Sequence, residues 1–230
     1  MGIIFSTAST PRVLPERDDG LLPFKSVTFL PQYQQSKPQT RGAKPQVANI
    51  GDDYWLVQYA TYDMHWYEAL AYQAWLHSLR GGMIPFCAWH PLLRYPINYR
   101  NGFAGLTRVG GGAFDGTCKV YGFAETLDAI TLSNLPEGFT VAIGDRFSVP
   151  FGSLQLLHEV VSGGVAAANG RVTLAIEPTL PISFVASTDE APVTATFNKP
   201  WMLASLDASS VQGPFEEGLY GAVSFSAVQI

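Results

Sequence analysis

The chain has 230 residues, 47% of them apolar, which excludes global disorder and supplies core material for one or two domains. Charged residues make up only 14%, against roughly 25% in an ordinary soluble domain, so much of the surface must be covered by other chains or be polar through Ser, Thr, Gln and Asn. A net charge of −5 argues against a nucleic-acid binder, which needs a basic stripe, and no apolar run reaches the roughly 18 residues that span a membrane.

Residues 1–50 hold six prolines, a density that removes amide donors and forbids helix. Met1 to Ser6 loosely matches an N-myristoylation pattern, but an ordinary arm is the better reading. No basic region followed by an apolar core marks a secretion signal. Only Ser26 to Leu30 reads as a strand here, and Gln32 to Gln46 reads as an extended arm of the kind that orders against a partner.

Asp53 to Ala60 is apolar on both alternating faces and is expected to be a strand covered on both sides. The period then changes. From Met64 to Arg80 the only strongly polar stripe is Gln73, His77 and Arg80, which predicts one prominent helix over 64–80, covered around most of its circumference. Asp63 is positioned to cap its start, and Gly81-Gly82 supplies a left-handed stop. Met83 to Trp89 reads as a strand, followed by a loop from His90 to Phe103.

Residues 104–116 contain five glycines and read as a flexible crossing between domains. Beyond them come short strands at regular intervals: Thr117–Gly122, Ala129–Ser133, Thr140–Val149, Leu154–Ser162 and Arg171–Glu177. Turn signals such as Ser162-Gly163-Gly164 and Ala168-Asn169-Gly170 separate them, as in a small barrel or sandwich. Phe197–Leu203 and Gly221–Ile230 read as strands that return to the aromatic texture of the first hundred residues. The expected fold class is therefore mainly β. Residues 1–107 and 197–230 form a β-rich domain with one prominent helix, carrying an inserted small β-barrel or sandwich at 108–196.

No constellation of catalytic or metal-binding residues emerges. Val109 to Gly112 lacks the Lys-Ser/Thr ending of a phosphate loop. Cys87 and His90 fall on opposite faces of a strand, and Cys87 and Cys118 read as two free thiols in different domains. His158-Glu159 sits in a β context rather than on a zinc-binding helix, and His65, His77, His90 and His158 are scattered. The pairs Asp18-Asp19, Asp52-Asp53 and Glu216-Glu217 read as solvated loops. The expectation is no enzyme, no cofactor and no metal.

Contact chemistry is present. The segment from His90 to Arg100 combines Arg94, Tyr95, Tyr99 and Arg100 in a proline-stiffened loop. Tyr and Arg dominate binding hot spots because they bury area and still offer donors. Those four residues are candidates for a partner interface, the alternative being a loop folded back onto its own domain.

The chain also resembles a known family. A helix ending in Leu79-Arg80-Gly81-Gly82, then a strand running Phe86 to Pro91, resembles the first domain of distal tail proteins of long-tailed bacteriophages and gene transfer agents. The later segment is similar to phage tail modules in three motifs. Leu135-Pro136-Glu137-Gly138 leads to a Gly-Asp strand (Ile143 to Phe147). A Leu-His-x-Val strand (Leu157 to Val160) follows, then a Gly-Arg-x-Thr-Leu strand ending at Glu-Pro (Gly170 to Pro178). The resemblance covers about residues 50–205 and departs from the family in the long Pro/Gln arm and in His90-Pro91, where Asp-Pro is expected. It implies a structural baseplate component of the virion, assembled in the bacterial host cytoplasm. Its expected partners are copies of itself in a homo-oligomeric ring, six-fold by the family, the tail tube protein, and a baseplate hub or tail-tip protein. The competing class is a carbohydrate-binding β module acting as a receptor-binding component. On this reading Trp55, Trp66, Trp75 and Trp89 belong to the core, and only Trp201 is free to stack on a sugar.

Overall fold

The alternation and turn signals of the sequence resolve into a mainly β protein with one substantial helix and a closed barrel of six strands. The computed structural model describes residues 3–4, 11–17, 22–36, 47–184, 193–213 and 220–230. In chain order the main elements are β1 (Phe24–Gln32), β2 (Tyr54–Thr61), α1 (Trp66–Ser78), β3 (Phe86–Trp89), β4 (Thr117–Phe123), β5 (Ala129–Ser133), β6 (Arg146–Phe151), β7 (Leu154–Ser162), β8 (Val172–Glu177), β9 (Thr194–Thr196), β10 (Trp201–Gln212) and β11 (Ser224–Gln229). They divide into two compact units. The first gathers residues up to Leu30 with Trp55–Leu92 and Trp201–Ile230, and the second gathers Pro31–Tyr54 with Leu93–Pro200.

In the first unit a sheet runs in the order Arg12–Val13, β3, β10, β11, β2, β1. Period-two alternation aims Trp55, Val57 and Tyr59 of β2, together with Phe225 and Ala227 of β11, at one face, where all are buried. α1 lies on that face. The Trp75 ring meets Phe86 at 5.5 Å and Phe225 at 6.2 Å, and Tyr72 meets Phe24 edge-on at 5.9 Å. The buried Tyr59 hydroxyl donates to the Trp89 carbonyl at 3.0 Å and accepts from the Trp89 amide at 3.1 Å, so this large side chain enters the core with its polar tip satisfied.

Three sequence expectations change here. The helix begins at Trp66 rather than residue 64, because Met64–His65 is committed to a two-residue ladder with Tyr220–Gly221. His65, not Asp63, is the N-cap, and the Glu68 carboxylate accepts its amide at 3.3 Å. Neither α1 nor β2 is covered on both sides: Trp66, Tyr67, Leu70 and Ala74 of the helix are exposed, as is Gln58 of the strand. The stop is as the glycines imply. Arg80, Gly81 and Gly82 take φ of 50°, 65° and 97°, which turns the chain back toward β10.

In the second unit the strands close in the order β4-β5-β8-β7-β6-β9, with β9 pairing back onto β4. All these pairings are antiparallel. Val120, Ile130, Leu132, Phe147, Val149, Val160, Val172, Leu174 and Ile176 fill the core, the inward residues that alternation marks. The unit is wider than 108–196. Tyr95, Tyr99 and Phe103 pack with Phe114 and Phe139, so the loop before residue 108 belongs to the barrel's core. The glycine run is not a hinge. It is the tip of a small hairpin with Thr107 opposite Ala113, pinned by Arg108, which donates to the Ala113 carbonyl and pairs with Asp115 at 2.5 Å.

Candidate functional site

The four loop residues separate into two pairs. Tyr99 stacks flat on Phe139, with ring centroids 4.4 Å apart and an interplanar angle of 6°, and its hydroxyl accepts from the Thr140 amide at 2.9 Å. Tyr95 meets Phe103 edge-on at 5.6 Å. The buried Asp145 carboxylate staples the loop by accepting from the amides of Ile97 and Ala142, each at 2.7 Å. Burial pushes that carboxyl up from its ordinary range, while the two amide bonds pull it back. Arg94 and Arg100 are exposed, with the Arg94 guanidinium carbon 5.6 Å from the centre of the Tyr95 ring. The tyrosines are thus used inside the barrel unit, and only the two arginines remain available on the surface.

The later motifs of the sequence resemblance, from Leu135 to Pro178, fall in that same unit. The only acceptor opposite His158 Nδ1 is the Pro178 carbonyl at 2.7 Å, so Nδ1 carries the proton and the ring is a fixed tautomer. Burial pushes the His158 pKa down to about 4, so the ring is neutral at physiological pH. Beside it, Arg146 Nη2 pairs with Glu159 at 2.8 Å. Cys118 is buried, its thiol pushed well up by desolvation, and its Sγ approaches the Ala195 carbonyl at 3.7 Å. His90 Nδ1 accepts from the Leu92 amide at 3.2 Å. Asp52 accepts from the Ile182 amide and Asp53 from the Gln34 amide. Asp18-Asp19 and Glu216-Glu217 lie outside the described residues. Among the described residues no group of three or more His, Cys, Asp or Glu is placed to hold a metal ion. No helix of those residues is long and apolar enough to cross a membrane.

The most unusual surface lies on the first unit and was not singled out from sequence. Tyr62, Trp66, Tyr67 and Tyr220 are 59%, 44%, 44% and 63% exposed, and Leu70 beside them is 43% exposed. The His65 ring lies 4.6 Å from Tyr67, 5.6 Å from Tyr220 and 6.1 Å from Trp66. Along α1 the exposed positions Trp66, Leu70, Ala74 and His77 form one stripe, with Tyr67 at its flank. Glu68 is the helix's only charged residue, and it is buried at the N-terminal turn. The signal was present in the sequence, since a helix apolar on two sides needs two partners and the sheet provides one.

On the opposite side of the sheet is a cleft of ≈ 370 Å³ bordered by Ser26, Thr28, Gln58, Ser210, Gln212 and Ser224. A register jump makes it. Asp207 faces Ser226 and Gln212 faces Ser224, so five steps along β10 match two along β11 and the excess bulges out. Ser209 holds the bulge through Asp207 Oδ1, which its amide reaches at 3.0 Å and its hydroxyl at 2.6 Å. The Ser226 amide donates to Ser210 Oγ at 2.7 Å. The cleft offers hydroxyls and amides without a charged side chain. No protein-family model matches the chain, and no curated protein matches it.

Proposed function

We propose that the protein is a structural subunit of a bacteriophage tail tip, forming a ring that joins the tail tube to the baseplate hub or receptor-binding apparatus. The observation that carries this reading is the aromatic surface of the first unit, where the exposed Trp66, Tyr67 and Tyr220 gather around His65 and Leu70 follows one helical turn on. Exposed Tyr, Trp and Leu gathered on one surface are the composition of an interface centre. The 14% charge of the whole chain points the same way. The order of helix, glycine stop, strand and inserted barrel supports the tail-tip assignment through the motifs that resemble distal tail proteins.

Electron microscopy of the purified protein tests this reading, with light scattering for mass. Rings of uniform diameter, six-fold in class averages, are the expected result. A 25.0 kDa species at every concentration, together with single copies in assembled particles, would count against it. A second reading, a carbohydrate-binding module, draws on the same rings, since exposed Trp and Tyr stack on sugar faces. Saturable binding to host cell-wall polysaccharide, lost on Trp66→Ala, would favour that alternative.

A further inference from the structure

The cleft of the first unit is built on two cross-strand rows. Gln58 of β2 lies opposite Ser226 of β11, which lies opposite Asp207 of β10. In the second row Ala60 lies opposite Ser224, and Ser224 opposite Gln212. Directly paired residues share a face of the sheet, so both rows present their side chains to one side. Between the rows residues 208–211 bulge out of β10 and border the cleft on one flank, while Ser26 and Thr28 of β1 border it on the other. The bordering side chains differ in what they have left to offer. Ser210 Oγ accepts from the Ser226 amide at 2.7 Å, and Ser224 Oγ donates to Gln212 Oε1 at 3.2 Å, which leaves the Gln212 amide its N–H donors. Ser26, Thr28 and Gln58 make no side-chain hydrogen bond among the described residues.

We infer that this cleft binds a neutral saccharide, at a site apart from the aromatic surface and independent of the ring reading. A ligand entering it meets two hydroxyls and a whole carboxamide that are free to bond without first breaking a bond inside the protein. Hydroxyls and amides both give and take hydrogen bonds, which is the complement of the neighbouring hydroxyls of a sugar ring. The volume of ≈ 370 Å³ stands at the lower end of the ~300–1,000 Å³ of ligand sites, room for about one or two sugar rings.

Other ligand classes fit less well. No residue lining the cleft is cationic, so a phosphate or carboxylate finds no counter-charge there. The charged side chain of the two rows is Asp207, beside the lining rather than in it, and its carboxylate repels anions further while it holds the Ser209 amide and hydroxyl. The aromatic residues of the lining, Tyr59 and Phe225, are 1% and 2% exposed, so an apolar ligand has little to cover. A peptide that adds as a strand needs a free sheet edge, whereas β2 and β11 at the floor are each paired on both sides.

Isothermal titration calorimetry of the full chain tests the site with maltotriose, cellotriose, mannotriose and chitotriose. Trigalacturonate serves as the anionic control and a Ser/Gln heptapeptide as the peptide control. At least one neutral trisaccharide is expected to bind with a Kd of about a millimolar or tighter, and neither control is expected to bind. Gln58→Ala and Thr28→Val change exposed positions and are expected to weaken that binding roughly five- to tenfold each, at unchanged melting. Thr28→Val keeps the shape of the side chain and removes its hydroxyl, so it reads the contact rather than the fold. Absence of binding by every neutral trisaccharide, tighter binding of either control, or binding that both cleft variants leave unchanged would overturn the inference. Saccharide binding that is lost on Trp66→Ala and kept in the cleft variants would overturn it in favour of the aromatic surface. The ring reading stands or falls separately, on whether the protein assembles.

Discussion

Gly82 is held by its neighbours as well as by its φ of 97°. A Cβ there would lie 2.5 Å from the Leu206 carbonyl oxygen and 2.7 Å from Ser205 Oγ, whose hydroxyl donates to the Gly82 carbonyl at 2.9 Å. Gly82→Ala combines a disfavoured backbone region with a clash against a strand that cannot move alone, and is expected to cost about 2 kcal/mol or more in urea unfolding. Wild-type stability in that variant would show that the turn is not tightly packed against β10. His158 makes a second residue-level case, and its sign can be worked out. The folded pKa is about 4 and the unfolded value about 6.5, so between those limits the unfolded chain binds the extra proton. Stability is then full above pH 6.5 and is lost as the pH falls toward 4, by on the order of 3 kcal/mol. His158→Asn keeps a donor for the Pro178 carbonyl and removes the titration. Its stability is expected to be flatter over that range, and an unchanged slope would mean that other groups carry it.

At the scale of elements, what the sequence made legible follows from which physical signal wrote it. β5 and β7 appear at the bounds that alternation marks, and β4 and β8 within a residue of theirs, because each has one buried face and a turn signal at either end. The strand expected over Thr140–Val149 is instead a two-residue pairing and then β6, since Asp145 turns the chain between them through the Ala142 amide. The role of Tyr95 and Tyr99 was not legible. Tyr in a proline-stiffened loop has the same composition whether it meets a partner or its own domain, and the deciding groups, Phe139, Thr140 and Asp145, lie some forty residues away in sequence. Their contacts set the expectation for this loop. Tyr99→Ala removes a flat stack and leaves the Thr140 amide without its acceptor, which is expected to destabilise by about 2–4 kcal/mol and lower the melting temperature by several degrees. Arg94→Ala with Arg100→Ala is expected to change it by less than ~0.5 kcal/mol. Equal melting of both variants would return the tyrosines to the surface role.

At the scale of the whole molecule, the pattern of an inserted barrel was legible from the change in texture, but its edges were not, because residues 93–107 carry aromatics that belong to a core built mostly downstream. The fully buried side chains of the described barrel core lie between Phe103 and Phe197, and Tyr95 and Tyr99 pack against them. The two ends of the segment 93–200 lie together, where the Lys199 amide donates to the Arg94 carbonyl at 2.7 Å. A segment with its own core, a closed sheet without free edges and adjacent ends has what independent folding requires. The fragment 93–200 is therefore expected to fold alone, giving dispersed amide resonances and one cooperative melt. It contains His158 and Pro178, so it is also expected to lose stability as the pH falls from 6.5 toward 4. A fragment begun at residue 108 instead lacks Tyr95, Tyr99 and Phe103 and is expected to melt at least several degrees lower, since three rings leave the core. If the two fragments melt alike, the loop is dispensable to the barrel. If the longer one shows no cooperative transition, the barrel depends on residues outside 93–200.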